Sequence, residues 1–146
     1  MIRHLAAIAS TVGLAVLQAG SPPTQQATSG RSLVEHETGM AVRQPGPHEG
    51  GGITTAFPFF AKAAPDFKMA FRKRILHKGS AIGYHRQTFD EVYYIISGTG
   101  DYTLNGMTQS VGPGTAMLTR RGDSHGLRPT GDGDLVIIIA YSTQGS

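Results

Sequence analysis

The sequence predicts an all-β protein with a single domain. Three observations lead to this fold class: the chain has 146 residues, it contains 20 glycines, and its apolar residues recur in short runs bounded by glycine. A chain of this length supplies one compact core, because domains usually contain about 100–150 residues. The glycine content exceeds the average of about 7% and indicates many tight turns. We therefore expect a β-sandwich or a small β-barrel.

Composition excludes several classes of protein. Hydrophobic residues make up 39% of the chain and charged residues 16%, which is typical of a folded protein rather than a disordered one. The net charge of +3 is small and its basic residues are scattered, so we expect no nucleic-acid partner. The absence of Cys excludes disulfides, cysteine-based zinc sites, iron–sulfur clusters and cysteine nucleophiles. Any metal must be held by His, carboxylate or amide side chains.

The first 19 residues are predicted to be a signal peptide. A short basic start precedes an apolar run from Leu5 to Leu17, which is too short to span a bilayer that needs roughly 20 apolar residues. Residues 20–32 are rich in Ser, Pro, Thr and Gln and indicate a flexible leader. We expect a secreted or periplasmic protein without stable membrane insertion after cleavage. The alternative is an uncleaved anchor.

Residues 67–142 are predicted to form the barrel, and residues 33–66 to add N-terminal strands and loops. Period-two patterns and short apolar runs predict strands at Phe67–His77, Ala81–His85, Val92–Ile96, Asp101–Leu104, Met107–Val111, Ala116–Thr119 and Leu135–Tyr141. Asn105-Gly106 separates two of these strands. This pair is typical of a type I′ hairpin, in which both central residues have positive φ.

Possible ligands for a metal lie around two histidines. His85 and Gln87 are two residues apart, so they share one face of a strand. A short turn then places Glu91 at the start of the next strand, and His125 follows after the hairpin and two further turns. We expect these three or four donors to converge inside the barrel.

The same residues resemble the two signature motifs of the cupin superfamily. The first motif is matched in its spacing by Gly79, His85, Gln87, Glu91 and Gly98. The second is matched by Gly114, Gly122 and His125, with Arg120 and Pro129 at the positions where the family has Pro and Asn. The resemblance covers roughly residues 67–142.

This resemblance implies a jelly-roll β-barrel with one divalent transition metal (Fe, Mn, Ni or Zn). The implied ligands are His85, Glu91 and His125, with Gln87 in the place of the usual second His. It further implies an enzyme of the dioxygenase, isomerase, lyase or decarboxylase type, acting on a small polar or anionic molecule, and a homodimer. Two alternatives remain: a non-catalytic cupin that binds a small ligand or sugar, and a metal-free barrel.

Strand alternation suggests further site residues. Tyr93 shares the inward face with Glu91, so it is a candidate catalytic proton donor, although it is also suited to filling the barrel. Arg72 and Arg74 share one face of their strand, which we expect to be exposed; the alternative is that they line the mouth and bind an anion.

Other basic residues near these motifs are expected to lie on loops. They are Arg120, Arg121 and Arg128, which flank His125, and His36 and His48, which we expect to be solvated rather than ligands. The pattern assigns no role to His77.

Overall fold

The computed structural model describes residues 30–143. This part of the chain contains ten β-strands and no helix. The strands are β1 (Val42–Pro45), β2 (Ile53–Phe59), β3 (Met69–Leu76), β4 (Ile82–Arg86), β5 (Glu91–Ser97), β6 (Gly100–Leu104), β7 (Met107–Val111), β8 (Ala116–Thr119), β9 (Ser124–Pro129) and β10 (Leu135–Ser142). The all-β prediction is confirmed.

The strands form two antiparallel sheets. The larger has the order β1-β2-β3-β10-β5-β8, and the smaller has the order β4-β9-β6-β7. Successive strands of the chain repeatedly change sheet, as in a jelly-roll barrel. The buried core comprises Leu76, Ile82, Tyr93, Ile95, Tyr102, Val111, Met117, Leu127, Leu135, Ile137 and Ile139.

Cross-strand register decides which side chains face the barrel interior. Ile139 of β10 lies opposite both Arg72 of β3 and Tyr93 of β5. Tyr141 of β10 lies opposite Glu91 in the same way. Neighbouring residues at the same register project to the same side of a sheet. The inner face of the larger sheet is therefore apolar at its centre and polar toward one end.

Most strand boundaries agree with the sequence within one or two residues, and β7 and β8 agree fully. The hairpin between β6 and β7 is confirmed, because Asn105 and Gly106 have φ angles of 48° and 82°. Strands β1, β2 and β9 were not among the seven predicted ones. β2 contains Pro58 and β9 contains Gly126 and Pro129, residue types that obscure a strand pattern.

The predicted signal peptide and residues 20–29 of the predicted leader lie outside the described residues. Within residues 30–143, no helix is long and apolar enough to cross a membrane.

Candidate functional site

Strands β4, β5 and β9, together with the residue that follows β4, bring the four predicted donors together at one end of the barrel. His85 of β4 and His125 of β9 are direct cross-strand partners. Glu91 opens β5, and its Oε2 lies 3.2 Å from Nε2 of His125. The amide nitrogen of Gln87 lies 2.5 Å from Oε2 of Glu91, 3.0 Å from Nε2 of His125 and 3.4 Å from Nε2 of His85. The predicted convergence is thus present; we call these four residues the donor cluster.

Hydrogen bonds orient both imidazole rings. Nδ1 of His85 lies 2.8 Å from the carbonyl oxygen of Gly83. Because a carbonyl only accepts, Nδ1 carries the proton and Nε2 presents a lone pair to the cluster. Nδ1 of His125 lies 2.7 Å from Oγ1 of Thr119, which in turn lies 2.6 Å from the Tyr102 hydroxyl. Such bonds at Nδ1 are characteristic of histidines that coordinate a metal through Nε2.

Tyr93 adjoins the donor cluster from β5. Its ring lies 5.1 Å from that of His125, and it is 3% exposed. Burial, followed by the negative charge of Glu91 and a hydrogen bond with it, raises the pKa of the Tyr93 hydroxyl well above 10. Tyr93 therefore keeps its proton at neutral pH. Its predicted role in catalysis stays a prediction.

The donor cluster contains side chains of the types that bind a divalent metal, but the present orientation of the Gln87 amide opposes binding. Within residues 30–143, the side chains as arranged include no group of three His, Cys, Asp or Glu residues placed to hold a metal ion. The amide nitrogen of Gln87 lies between the other three donors, and an amide N–H cannot coordinate a cation. A metal would therefore require the Gln87 amide to turn its oxygen inward or to move aside.

The spacing of the other donors is compatible with such an ion. Two ligand atoms bonded at about 2.1 Å and at right angles lie about 3.0 Å apart. The separation of 3.2 Å between Nε2 of His125 and Oε2 of Glu91 is close to this value. His85, Glu91 and His125 are therefore suitable metal ligands by chemistry. The pair of His125 and Glu91 is also suitably spaced.

A cavity of about 350 Å³ opens beside the donor cluster, and Arg72 and Arg74 line it. The expectation that these arginines are exposed was wrong. Arg74 is 2% exposed and Arg72 is half-buried, because the register of β3 turns them toward the barrel interior. Apolar residues of this strand, including Phe71 and Ile75, face the other side.

Arg74 has an incomplete set of partners. Its Nη1 donates to Oγ1 of Thr54 at 2.7 Å. With its amide oxygen turned inward, Gln44 accepts from both Nη atoms at 2.8 Å. The buried Nε has no hydrogen-bond partner. Burial, and then repulsion from Arg72, lowers the pKa of the Arg74 guanidinium. The described residues form no ion pair between either arginine and a carboxylate, so neither guanidinium is neutralised by a direct contact.

His48 is exposed on a loop, as the sequence analysis expected, yet it adjoins the site. Its ring stacks on His85, with the ring centroids 3.4 Å apart and the planes 8° apart. His48 and Glu49 have positive φ angles of 53° and 61°, an uncommon conformation for residues other than glycine. Such strained backbone is found most often at functional sites.

Glycines explain how the loop that carries His48 reaches the site. The Gly83 amide donates to the Pro47 carbonyl at 2.9 Å, and a Cβ at Gly83 would overlap the His48 carbonyl. A Cβ at Gly50 would likewise overlap the Ala81 backbone. The glycine run around a lone His in the sequence was the signal for this close packing.

The remaining basic candidates lie away from the donor cluster. Arg120 pairs with Asp90 at 2.5 Å, and Arg128 pairs with Asp101 at 2.8 Å. Arg128 lies on β9 and not on a loop, which corrects the expectation for it. Among the described residues that line the cavity, neither of these arginines nor Arg121 appears.

The other two described histidines also lie outside the donor cluster. His36 is exposed and bonds to Thr38, as expected for a loop residue. His77 bonds to Thr55 and pairs with Asp134.

Comparison with known proteins decides the family. The Cupin domain model matches residues 73–141, which include the whole donor cluster. Residues 73–141 of the chain are a cupin domain. The jelly-roll prediction is thereby confirmed, together with the two-sheet architecture.

A curated protein and a solved structure from Thermotoga maritima resemble this chain. The chain is 35% identical over 66 residues to an oxalate-binding protein, and the match covers 44% of this chain and 54% of that protein. The chain thus spans about half the length of this curated relative. A solved structure described as a predicted oxalate decarboxylase has 26% identity and a TM-score of 0.69, covering 75% of this chain and 98% of the other.

A more distant structure shares the fold alone. The polyketide cyclase RemF of Streptomyces resistomycificus is 21% identical, with a TM-score of 0.62, and the match covers 78% of this chain and 81% of that one.

Proposed function

We propose that this cupin is a metal-dependent enzyme that acts on a small carboxylate. The observation that supports it most strongly is the arrangement of the cavity: Arg74, a buried guanidinium that forms no ion pair with a carboxylate among the described residues, lines the cavity beside the donor cluster. A carboxylate is the anion that a guanidinium recognises best, through paired charge-assisted hydrogen bonds.

The metal would be held by His85, Glu91 and His125, with the amide oxygen of Gln87 as a fourth ligand once it is turned inward. Imidazole and carboxylate ligands suit Fe, Mn, Ni and Zn. A metal bound there supplies a Lewis acid for substrate oxygens or a site for dioxygen. It would also neutralise the buried Glu91 carboxylate, which otherwise has hydrogen bonds but no permanently cationic partner.

Other residues of the cavity would bind the ligand, donate a proton and limit the access of water. Arg74 and Arg72 would bind and orient the carboxylate of the ligand. Tyr93 would hold its proton beside Glu91 and serve as the candidate catalytic proton donor. His48 would cover the exposed side of His85 and limit the access of water.

A second candidate function is ligand binding without turnover. It is supported by the match to a protein described as oxalate-binding. Both candidate functions predict a saturable carboxylate site, so only the detection of a reaction product distinguishes them.

The test is calorimetric binding of oxalate and of pyruvate to the protein loaded with Mn²⁺, Fe²⁺, Ni²⁺ or Zn²⁺, followed by product analysis. We expect binding to the loaded protein, and loss of that binding after chelation. A product supports the enzyme, and saturable binding without product supports the second candidate. Equal binding with and without metal, or no binding of either acid, would overturn the proposal.

Assembly and location are separate proposals. Val92, Tyr94, Ile96 and Leu118 are 40–46% exposed on the outer face of the larger sheet, which supports homodimerisation through an apolar surface. Light scattering should give the mass of a dimer, and Tyr94→Glu should give the mass of a monomer; a monomeric wild type would contradict this.

Export is supported by the basic start and apolar run at the N-terminus. N-terminal sequencing of the protein recovered from the periplasm or medium should show that about 19 residues have been removed. A full-length chain held in the membrane would instead indicate an anchor.

A further inference from the structure

The cavity is larger than the smallest dicarboxylate requires. Oxalate has six non-hydrogen atoms, and a water molecule takes a share of about 30 Å³ in the liquid, so six atoms fill at most about 180 Å³. The cavity beside the donor cluster has a volume of about 350 Å³. About half of it is therefore left for another part of the ligand.

An aromatic pair forms part of the remaining wall. Phe89 stacks on Tyr141, with ring centroids 4.4 Å apart and an interplanar angle of 16°. Both residues line the cavity, together with the buried side chain of Ile139. Such a surface gains most from contact with a flat apolar group.

Arg72 connects this aromatic wall with the cationic one. Its guanidinium lies 5.2 Å from the centroid of the Tyr141 ring and donates to the Tyr141 hydroxyl. Arg72 and Tyr141 also line a second cavity of about 260 Å³, whose other residues include Phe59 and Phe71. Arg72 and Tyr141 are thus shared by the two cavities.

We propose that the ligand is a carboxylate that carries an aromatic group, and that Phe89 and Tyr141 select for this group. Its carboxylate would lie at Arg74 and Arg72, and its ring would lie against the Phe89–Tyr141 pair. This inference rests on the proposed function, since it assumes that the cavity binds a carboxylate. A sugar acid would place hydroxyl groups against the same apolar wall and leave them without partners.

The test compares two acids that differ only in the ring. Phenylpyruvate and pyruvate share the 2-oxo carboxylate, and both are titrated calorimetrically into the metal-loaded protein, with galacturonate as the sugar acid. Burial of the phenyl group should make phenylpyruvate bind about tenfold more tightly than pyruvate. Phe89→Ala should remove most of this preference. Tyr84→Ala, which deletes an exposed ring outside both cavities, should preserve it.

The experiment distinguishes an incorrect aromatic ligand from an incorrect carboxylate site. Equal affinities for phenylpyruvate and pyruvate, with both weakened by Arg74→Met, would overturn the aromatic ligand alone; so would tighter binding of galacturonate. If neither 2-oxo acid binds, or if Arg74→Met leaves their affinities unchanged, the carboxylate site itself is overturned. A circular dichroism spectrum of each variant confirms that it is folded.

Discussion

The two sides of the cavity differ in how completely their polar atoms are bonded. On the side formed by β4, β5 and β9, the Glu91 carboxylate, the Gln87 amide and both histidine Nδ1 atoms have partners within 3.2 Å. On the side formed by β3 and β10, Nε of Arg74 is buried without one. The first side is ordered by its own hydrogen bonds, whereas the second lacks an acceptor. This difference is one reason for proposing that the carboxylate of the ligand binds on the arginine side.

An unsatisfied donor in a folded protein has a cost. Leaving a buried donor unpaired costs about 1–3 kcal/mol, and more when the group is charged. Such a cost is commonly found where stability has been exchanged for function. Arg74 should accordingly contribute to binding and not to folding.

The largest effect is expected from Arg74→Met. Loss of a charge-assisted contact worth about 1.5–3 kcal/mol should weaken carboxylate binding by about 10- to 100-fold. The melting temperature should stay constant or rise, because an apolar side chain of similar length replaces a buried charge. Thr54 retains its hydrogen bond to the Gln44 carbonyl at 3.3 Å. Calorimetry and thermal melting measure the two effects.

Arg128→Met is the matched control, since Arg128 is exposed and pairs with Asp101. It should change neither quantity. A fall of several degrees in the melting temperature of Arg74→Met, with unchanged affinity, would instead make Arg74 a structural residue.

The next effect concerns Gln87→His. An imidazole is a stronger ligand for a transition metal than an amide and places a lone pair where an N–H now lies. Metal affinity should rise by about tenfold or more, given that changes to a metal site typically alter affinity 10- to 100-fold. Competition with a chelator of known affinity measures it. Gln109→His, on the exposed face of β7, is the control; an unchanged affinity in Gln87→His would place that side chain away from the metal.

A smaller effect is expected from His48→Asn. Asn tolerates positive φ, so the loop should keep its shape while the ring that covers His85 is lost. Metal content should be unchanged. Carboxylate affinity should fall about threefold, which is no more than the loss of one hydrogen bond typically causes. His36→Asn is the control on an exposed histidine. Loss of metal in His48→Asn would make His48 a ligand.

The smallest effect concerns pH. Hydrogen bonds from the Arg121 amide and then the Arg120 guanidinium lower the pKa of Asp90 below 3.8. The stabilisation is therefore present above the unfolded pKa and disappears as the pH falls through the folded one. Thermal melts between pH 6 and pH 2.5 should show wild type losing its small advantage over Asp90→Asn. An advantage that does not diminish as the pH falls would contradict this role.

The convergence of the donor cluster was predictable because its residues occur at motif spacing along the chain, although β5 belongs to a different sheet from β4 and β9. Their role as metal ligands stays a prediction. Sequence analysis failed for the arginines for a physical reason. Both faces of β3 carry apolar and basic residues, and the usual rule puts the basic face in solvent. Here a polar cavity occupies the end of the barrel, so the more basic face is the buried one.

The positions of His48 and of the aromatic wall depend on tertiary contacts. His48 reaches the site through the packing of glycines more than 30 positions apart, as Gly50 and Gly83 do here. Phe89 lies in the loop between β4 and β5 and Tyr141 lies on β10, so the two rings meet only in the folded structure. Local patterns carry no information about such distant pairs.

The most direct test of this account is the metal content of three purified proteins after loading and gel filtration. Elemental analysis should find about one metal per chain in wild type and in Arg74→Met, and almost none in Glu91→Gln, because only Glu91 supplies an anionic ligand. This result would assign the metal to the donor cluster and would show that Arg74 is not needed to hold it. Equal metal content in wild type and Glu91→Gln would contradict the account.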